Sequence, residues 1–246
     1  MSVDSRVGQV FSTNGGTDCV ITEYKGTYKV KIKFLDEYGY ENEVAMKELR
    51  NGEVKNPYSK SLHGVGFLGE GMFKTSVNKL LTPEYKYWSD MLMRCYYKTS
   101  LMKNPSYINC IVCDEWHNFQ IFSDWITKHE SFGLGYELDK DLLLKGNKLY
   151  SPDTCSLIPK EVNMAINGAY LSKGKCKQGV TLRKNGKFQA QISYFGESKY
   201  LGCFETEEEA YNAYKESKEF YIKGIADKWS KRISKKSYDA LMSWSI

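Results

Sequence analysis

Four oxygen-bearing side chains crowd one stretch of this chain. Asp139, Asp141 and Asn147 fall close together, and Asn163 follows downstream. Carboxylate and amide oxygens are hard donors that suit Mg²⁺. A divalent cation held by Asp139 and Asn163 would polarise a phosphoryl oxygen and stabilise a leaving oxyanion. Asp139 and Asp141 share a strand face at a spacing of two, so joint ligation is open. The same two residues around Lys140 also read as solvated acids, and Asn147 either orients a reacting group or serves a turn. A second constellation is sulfur-based. Cys110-x-x-Cys113 has zinc-knuckle spacing, and with Cys95 and Cys155 it would give four thiolates for a structural Zn²⁺. The alternative is four buried small hydrophobes. His117 and His129 are further candidate bases, and His63 is a weaker one.

The elements that must position the oxygens are short. Tyr136–Leu144 reads as a strand with Leu138, Leu142 and Leu144 as its apolar contacts. Lys145-Gly146-Asn147-Lys148 is turn chemistry. Thr154–Ile158 fits a second strand. Pro159 suits a first helical turn, and Lys160–Ile166 continues as a helix. Strand, loop, strand, helix is the ββα layout of a one-metal nuclease hairpin, with Asp139 on the first strand and Asn163 on the helix. The segment Leu138-Asp139, Thr154-Cys155-Ser156-Leu157, Asn163 and Asn167 resembles the HNH segment of phage-type HNH endonucleases of the homing kind. That resemblance implies Asp139 and Asn147 as catalytic positions, and Asp139 with Asn163 as Mg²⁺ ligands. The chain departs from the pattern at Lys140, where the family carries its general-base histidine. A lysine with a reference pKa of about 10.4 is a poor proton acceptor at neutral pH. Asp141 or a histidine from elsewhere would then act as base, or the hairpin is decayed and only DNA binding remains.

The C-terminal stretch carries a second pattern. Gly179–Phe204 reads as three short strands joined by Lys184-Asn185-Gly186, a hairpin signal, and by Phe195-Gly196. Thr206 with Glu209 forms a capping box at the start of a helix. Between Lys173 and Lys199 there are seven Lys or Arg and one acid, Glu197. Thr181, Arg183, Lys187, Gln189, Gln191 and Ser193 alternate with Val180, Leu182, Phe188, Ala190 and Ile192, which predicts a polar face opposite an apolar one. Gly179-Val180, Gly186-Lys-Phe-Gln-Ala-Gln-Ile192, Tyr200-Leu-Gly-Cys-Phe204 and Thr206-Glu-Glu-Glu-Ala-Tyr-Asn-Ala-Tyr214 resemble an AP2 domain. Members of that family lay a three-stranded sheet into the major groove of DNA. Arg reads guanine and Gln reads adenine there, and Lys184 and Lys199 are expected on phosphates, fixing register.

The rest of the chain supplies context. Val7–Phe11, Cys19–Tyr24, Tyr28–Phe34 and Glu43–Met46 read as strands between Gly-containing turns. Lys29, Lys31 and Lys33 alternate with Val30, Ile32 and Phe34; nearby acids favour a solvated face over an RNA-binding one. Lys60–Lys74 is glycine-rich. Its Gly64-Val65-Gly66-Phe67-Leu68-Gly69 lacks the strand and helix of a dinucleotide site, so a tether is expected. Pro83–Tyr97 reads as a helix with Thr82 as N-cap and Tyr87, Trp88, Met91, Leu92 and Cys95 on its apolar side. Trp116, Phe119, Phe122 and Trp125 recur every three residues and predict core. Ser234–Trp244 is expected to be a final helix.

The expected fold is α+β and modular. Residues 1–62 form a small β-barrel-like domain and 63–80 a Gly-rich linker. Residues 81–168 form the ββα domain, 169–177 a basic linker and 178–246 the AP2-like sheet packed on a helix. At 246 residues the chain has room for several cores. The net charge of +5 says little about partners by itself, so the local clustering carries the argument. No apolar run approaches a membrane span. The start of the chain carries no apolar signal core. Seven cysteines without such a segment read as thiols or metal ligands. A cytosolic protein is expected, in a bacterial host if phage-borne, with double-stranded DNA as partner. Two function classes follow: a metal-dependent, site-selective DNA endonuclease, and a non-cleaving DNA-binding regulator or inhibitor.

Overall fold

The computed structural model describes residues 5–167, 176–194 and 197–246. The fold is mixed α and β, with several small sheets. Two compact units divide at Thr127 and Lys128, inside the stretch read above as one ββα domain. The expected hairpin loop Phe195-Gly196 and most of the basic connector lie outside the described residues.

The first unit opens with an antiparallel meander. Its strands are β1 (Val10–Ser12), β2 (Asp18–Tyr24), β3 (Val30–Phe34) and β4 (Glu41–Val44), followed by the short helix α1 (Met46–Arg50). Val30, Ile32 and Phe34 point inward from β3 and pack with Cys19, Ile21, Met46 and Leu49, while Lys31 and Lys33 face solvent. Those lysines oppose glutamates: Lys31 bonds Glu23 at 2.8 Å and Lys33 sits 3.7 Å from Glu41. The polar face is thus electrostatically mixed. The sheet is open rather than barrel-like, since β1 and β4 each pair on one side only among the described residues.

The glycine-rich segment is packed instead of serving as a tether. Phe67 is buried; its N–H donates to the His117 carbonyl, and its carbonyl accepts from Phe119 N–H. A Cβ on Gly66 would stand 2.5 Å from Leu92 Cδ1, so only glycine lets the chain pass this close to the helix. Beyond it, β5 (Ser76–Val77) and β6 (Leu80–Leu81) make a hairpin on Asn78 and Lys79, both at positive φ.

Next come α2 (Pro83–Tyr96), α3 (Lys98–Lys103), β7 (Ile111–Val112) and α4 (Phe119–Lys128), with a 3₁₀ turn at Asp114–His117. Trp88, Met91, Leu92, Trp116, Phe119 and Phe122 are fully buried, so the aromatic repeat is core as expected. Trp88 Nε1 donates to the Trp116 carbonyl at 2.7 Å. Thr82 holds the N-cap position, but its hydroxyl donates back to the Lys74 carbonyl.

The second unit is built along one helix. Strands β8 (Glu137–Asp139) and β10 (Ser156–Ile158) pair antiparallel, with the short strand β9 (Leu149–Tyr150) between them in sequence, and α5 (Lys160–Asn167) follows. Strands β11 (Val180–Leu182), β12 (Phe188–Tyr194) and β13 (Glu197–Phe204) form an antiparallel sheet in chain order. Helix α6 (Glu207–Trp229) begins with the expected capping box: Glu209 N–H donates to Thr206 Oγ1, and Glu209 accepts from Thr206 N–H. Its first turns bring Ala210 against Val180 and Ala190 of the sheet. Its later turns bring Ile222, Ile225 and Ala226 against Ile158, Val162 and Ile166 of the hairpin and Leu241 of α7 (Lys235–Met242). One helix therefore carries both the sheet and the hairpin, although the sequence assigned them to separate modules. At 1.5 Å per residue, Ala210 and Ile225 lie roughly 22 Å apart along it.

Candidate nucleic-acid interface and hairpin site

The three-stranded sheet presents a polar face. Thr181 pairs with Gln189, which pairs with Cys203; Gln191 pairs with Tyr200 and Ser193 with Ser198. Thr181, Gln191 and Ser193 are exposed and Gln189 is partly so, while Val180, Ala190 and Ile192 are buried on the other side. Gln189 Nε2 donates to Gln191 Oε1 at 3.2 Å, which aligns the two amides along β12. Arg183, Lys184 and Lys199 are exposed and, among the described residues, lack an acidic partner. Lys187 differs: its ammonium pairs with Glu205, and this partner holds its pKa above the ordinary lysine value. Lys177 is similarly paired with Glu208.

Tyr200 belongs to this face and was missed in the sequence. It is 61% exposed in the middle of the third strand. A β-bulge between the pairs Ala190–Gly202 and Gln191–Tyr200 skips Leu201 and switches the facing parity of β13. Simple alternation counted from Phe204 places Tyr200 inward. Gly202, at φ +148° beside the Phe204 ring, is the one local sign of that switch.

The hairpin's polar residues are tied into their own loop. Asp139 is buried, and its Oδ1 accepts from Asp141 N–H at 3.0 Å and Leu142 N–H at 2.7 Å. Burial pushes the Asp139 carboxyl above the usual range, against the lowering effect of those N–H groups. Lys140 is also buried. Its ammonium donates to Asp141 Oδ2 and to the Asn147 carbonyl, both at 2.7 Å, and lies 5.9 Å from the centre of the Tyr150 ring. Asn147 uses its whole amide locally, donating to the Lys140 and Leu149 carbonyls and accepting from Leu149 N–H. Its turn role is thus filled. Asp141, read as a substitute base, is the counter-ion of Lys140.

Asn163 reaches the same strand as Asp139, two residues earlier. Its Nδ2 donates to Glu137 Oε2 at 2.6 Å. Glu137 and Asp139 share a face of β8 by strand periodicity. Glu137 is therefore the side chain of β8 that Asn163 meets, and its spacing of two from Asp139 was the available signal.

The histidines are structural neighbours. His129 Nδ1 faces Ser131 N–H at 3.1 Å, and its Nε2 faces Leu157 N–H at 3.4 Å. His117 Nε2 lies 3.3 Å from the Tyr96 hydroxyl. Burial lowers the pKa of both. Among the described residues, no group of three or more His, Cys, Asp or Glu side chains is arranged to hold a metal ion. Cys95, Cys110 and Cys155 are buried, and burial pushes the Cys113 thiol up to about 11. No disulfide links the cysteines. No described helix is long and apolar enough to cross a membrane.

Comparison of the chain with protein families, curated proteins and solved structures finds no match.

Proposed function

We propose that the protein binds double-stranded DNA through the exposed face of β11, β12 and β13. The observation that carries this reading is the row Thr181, Gln189, Gln191 and Ser193 with cations at its margins that have no acidic partner among the described residues. Amide side chains in line along a strand suit base edges in a major groove. Arg183, Lys184 and Lys199 suit flanking phosphates. Lys187, already neutralised by Glu205, contributes less than its position in the sequence suggests. A selection from random-sequence duplexes tests the reading: an enriched motif that Gln189→Ala or Gln191→Ala relaxes supports it, and no enrichment over input refutes it.

A second reading adds metal-assisted phosphodiester hydrolysis at the hairpin, and the Glu137, Asp139 and Asn163 oxygens favour it. When bound, Mg²⁺ would polarise the scissile phosphate and steady the leaving oxygen. Against it stand Lys140 and Asp141, which occupy each other where a base is needed. The non-cleaving regulator or inhibitor accommodates that ion pair without further change. Nicking of supercoiled DNA with Mg²⁺ or Mn²⁺ separates the two. Cleavage abolished by Glu137→Ala and Asp139→Ala supports the nuclease, and intact DNA under all conditions supports the regulator.

A further inference from the structure

The turn between α6 and α7 is the most cationic surface segment that the sheet and hairpin do not use. Lys228–Lys236 holds five Lys or Arg and no acid. Three of these are engaged: Lys228 pairs with Glu161, Lys235 with Asp239, and Lys236 donates to the Asp153 carbonyl. Lys231 and Arg232 are exposed and have no acidic partner among the described residues.

Those two cations stand at a cleft of about 550 Å³ within the second unit. Its walls include Tyr136, Trp229, Leu134 and Ile233, with Glu130 the one acid of the lining. Tyr136 and Trp229 meet edge to face, with ring centroids 6.1 Å apart. Both rings are anchored. Tyr136 Oη donates to the Arg232 carbonyl at 3.2 Å, and Trp229 Nε1 donates to Glu161 Oε2 at 2.9 Å. The Arg232 guanidinium lies 6.0 Å from the centre of the Trp229 ring. The cleft thus combines fixed aromatic surface, apolar walls and two cations without an acidic partner among the described residues.

We infer that this cleft binds a nucleoside monophosphate unit, its base against Trp229 and Tyr136 and its phosphate on Lys231 and Arg232. A π-face accepts any base, and free cations beside it accept one phosphate. The volume matches a small-ligand site. The same chemistry is offered by a free nucleotide and by an unpaired nucleotide at the end of a duplex. The inference goes beyond the duplex-binding sheet, because these residues lie at the opposite end of α6.

The test uses the full chain and 2-aminopurine, a base whose emission drops on stacking. Its monophosphate, and a duplex with a single-stranded 2-aminopurine overhang, are titrated against wild type and Lys231→Ala/Arg232→Ala. Both substitutions are at exposed positions. Quenching by wild type is expected, weakened roughly tenfold in the double variant and competed by AMP but not by inorganic phosphate alone. Competition by AMP against the overhang identifies a site shared by both sources; quenching of the overhang without the free monophosphate assigns the site to strand ends. No quenching of either probe, or equal quenching by the double variant, overturns the inference. Affinity for a blunt duplex, measured in parallel, is expected to be unchanged in the double variant. Failure of blunt-duplex binding alone would count against the sheet reading and leave the cleft standing on its own result.

Discussion

Asp139 does two separable jobs in the hairpin. Its Oδ1 closes the turn by accepting two N–H groups, and its carboxyl is buried. Asn keeps the accepting oxygen and removes the buried charge, whereas Ala leaves the N–H groups unpaired. Asp139→Asn should therefore fold with wild-type stability or better at pH 7, while Asp139→Ala should lose about 1–3 kcal/mol by chemical denaturation. The pH dependence has a definite sign. A carboxyl raised in the folded state stabilises below its unfolded pKa, about 3.9, and that contribution is lost as pH rises through the folded value. Asp139→Asn should remove this loss. His117 and His129 act oppositely, since burial lowers their folded pKa. Their stability contribution is complete above the unfolded value of about 6.5 and falls as pH drops below it. Denaturation midpoints at pH 7.5 and 5.5 should show this loss in wild type and a smaller one in His129→Gln. Equal losses in both proteins would mean that His129 is not part of the effect.

At the scale of elements, the sheet and its helix are fixed by one close approach. Gly179 sits at φ +73°, and a Cβ there would stand 2.1 Å from the Tyr214 ring. Gly179→Ala should destabilise the protein by more than about 1 kcal/mol, read as a lowered thermal midpoint; an unchanged midpoint would contradict the packing described here. Much of this element was legible beforehand. The Asn185-Gly186 turn, the alternation in β12 and the Thr206–Glu209 box are local signals, and local hydrogen bonds and periodicity decide them. The facing of Tyr200 was not legible, because a bulge resets parity without a sequence cost that a single chain reveals. Gly66, packed against Leu92, read as flexible for a related reason: close approach and freedom use the same residue. Asn147 was read as orienting a reacting group or serving a turn, and the loop takes up its whole amide; Asp141 was read as a base or a solvated acid, and it is the counter-ion of Lys140. Only the tertiary fold decides which partner a polar side chain finds.

At the scale of the molecule, α6 packs against the polar sheet in its first turns and against the hairpin in its later ones. The sequence suggested a linker and a boundary there, since burial by a shared helix leaves no signature in local composition. A sheet whose margins carry three cations without an acidic partner among the described residues should bind duplex DNA with a marked salt dependence. Log affinity should fall linearly with log salt, with a slope of about −0.9 per phosphate neutralised. Arg183→Ala and Lys199→Ala should each reduce that slope, and Lys187→Ala should change it less because Glu205 already balances its charge. The measurement that bears most directly on the proposed function is fluorescence anisotropy of a selected blunt duplex across a salt series, with wild type and Gln189→Ala/Gln191→Ala. The account predicts tight wild-type binding and a double variant that loses roughly 1–3 kcal/mol of preference for the selected site over a scrambled one, with its salt slope retained. Equal preference in the two proteins, or no duplex binding by wild type at low salt, would contradict it.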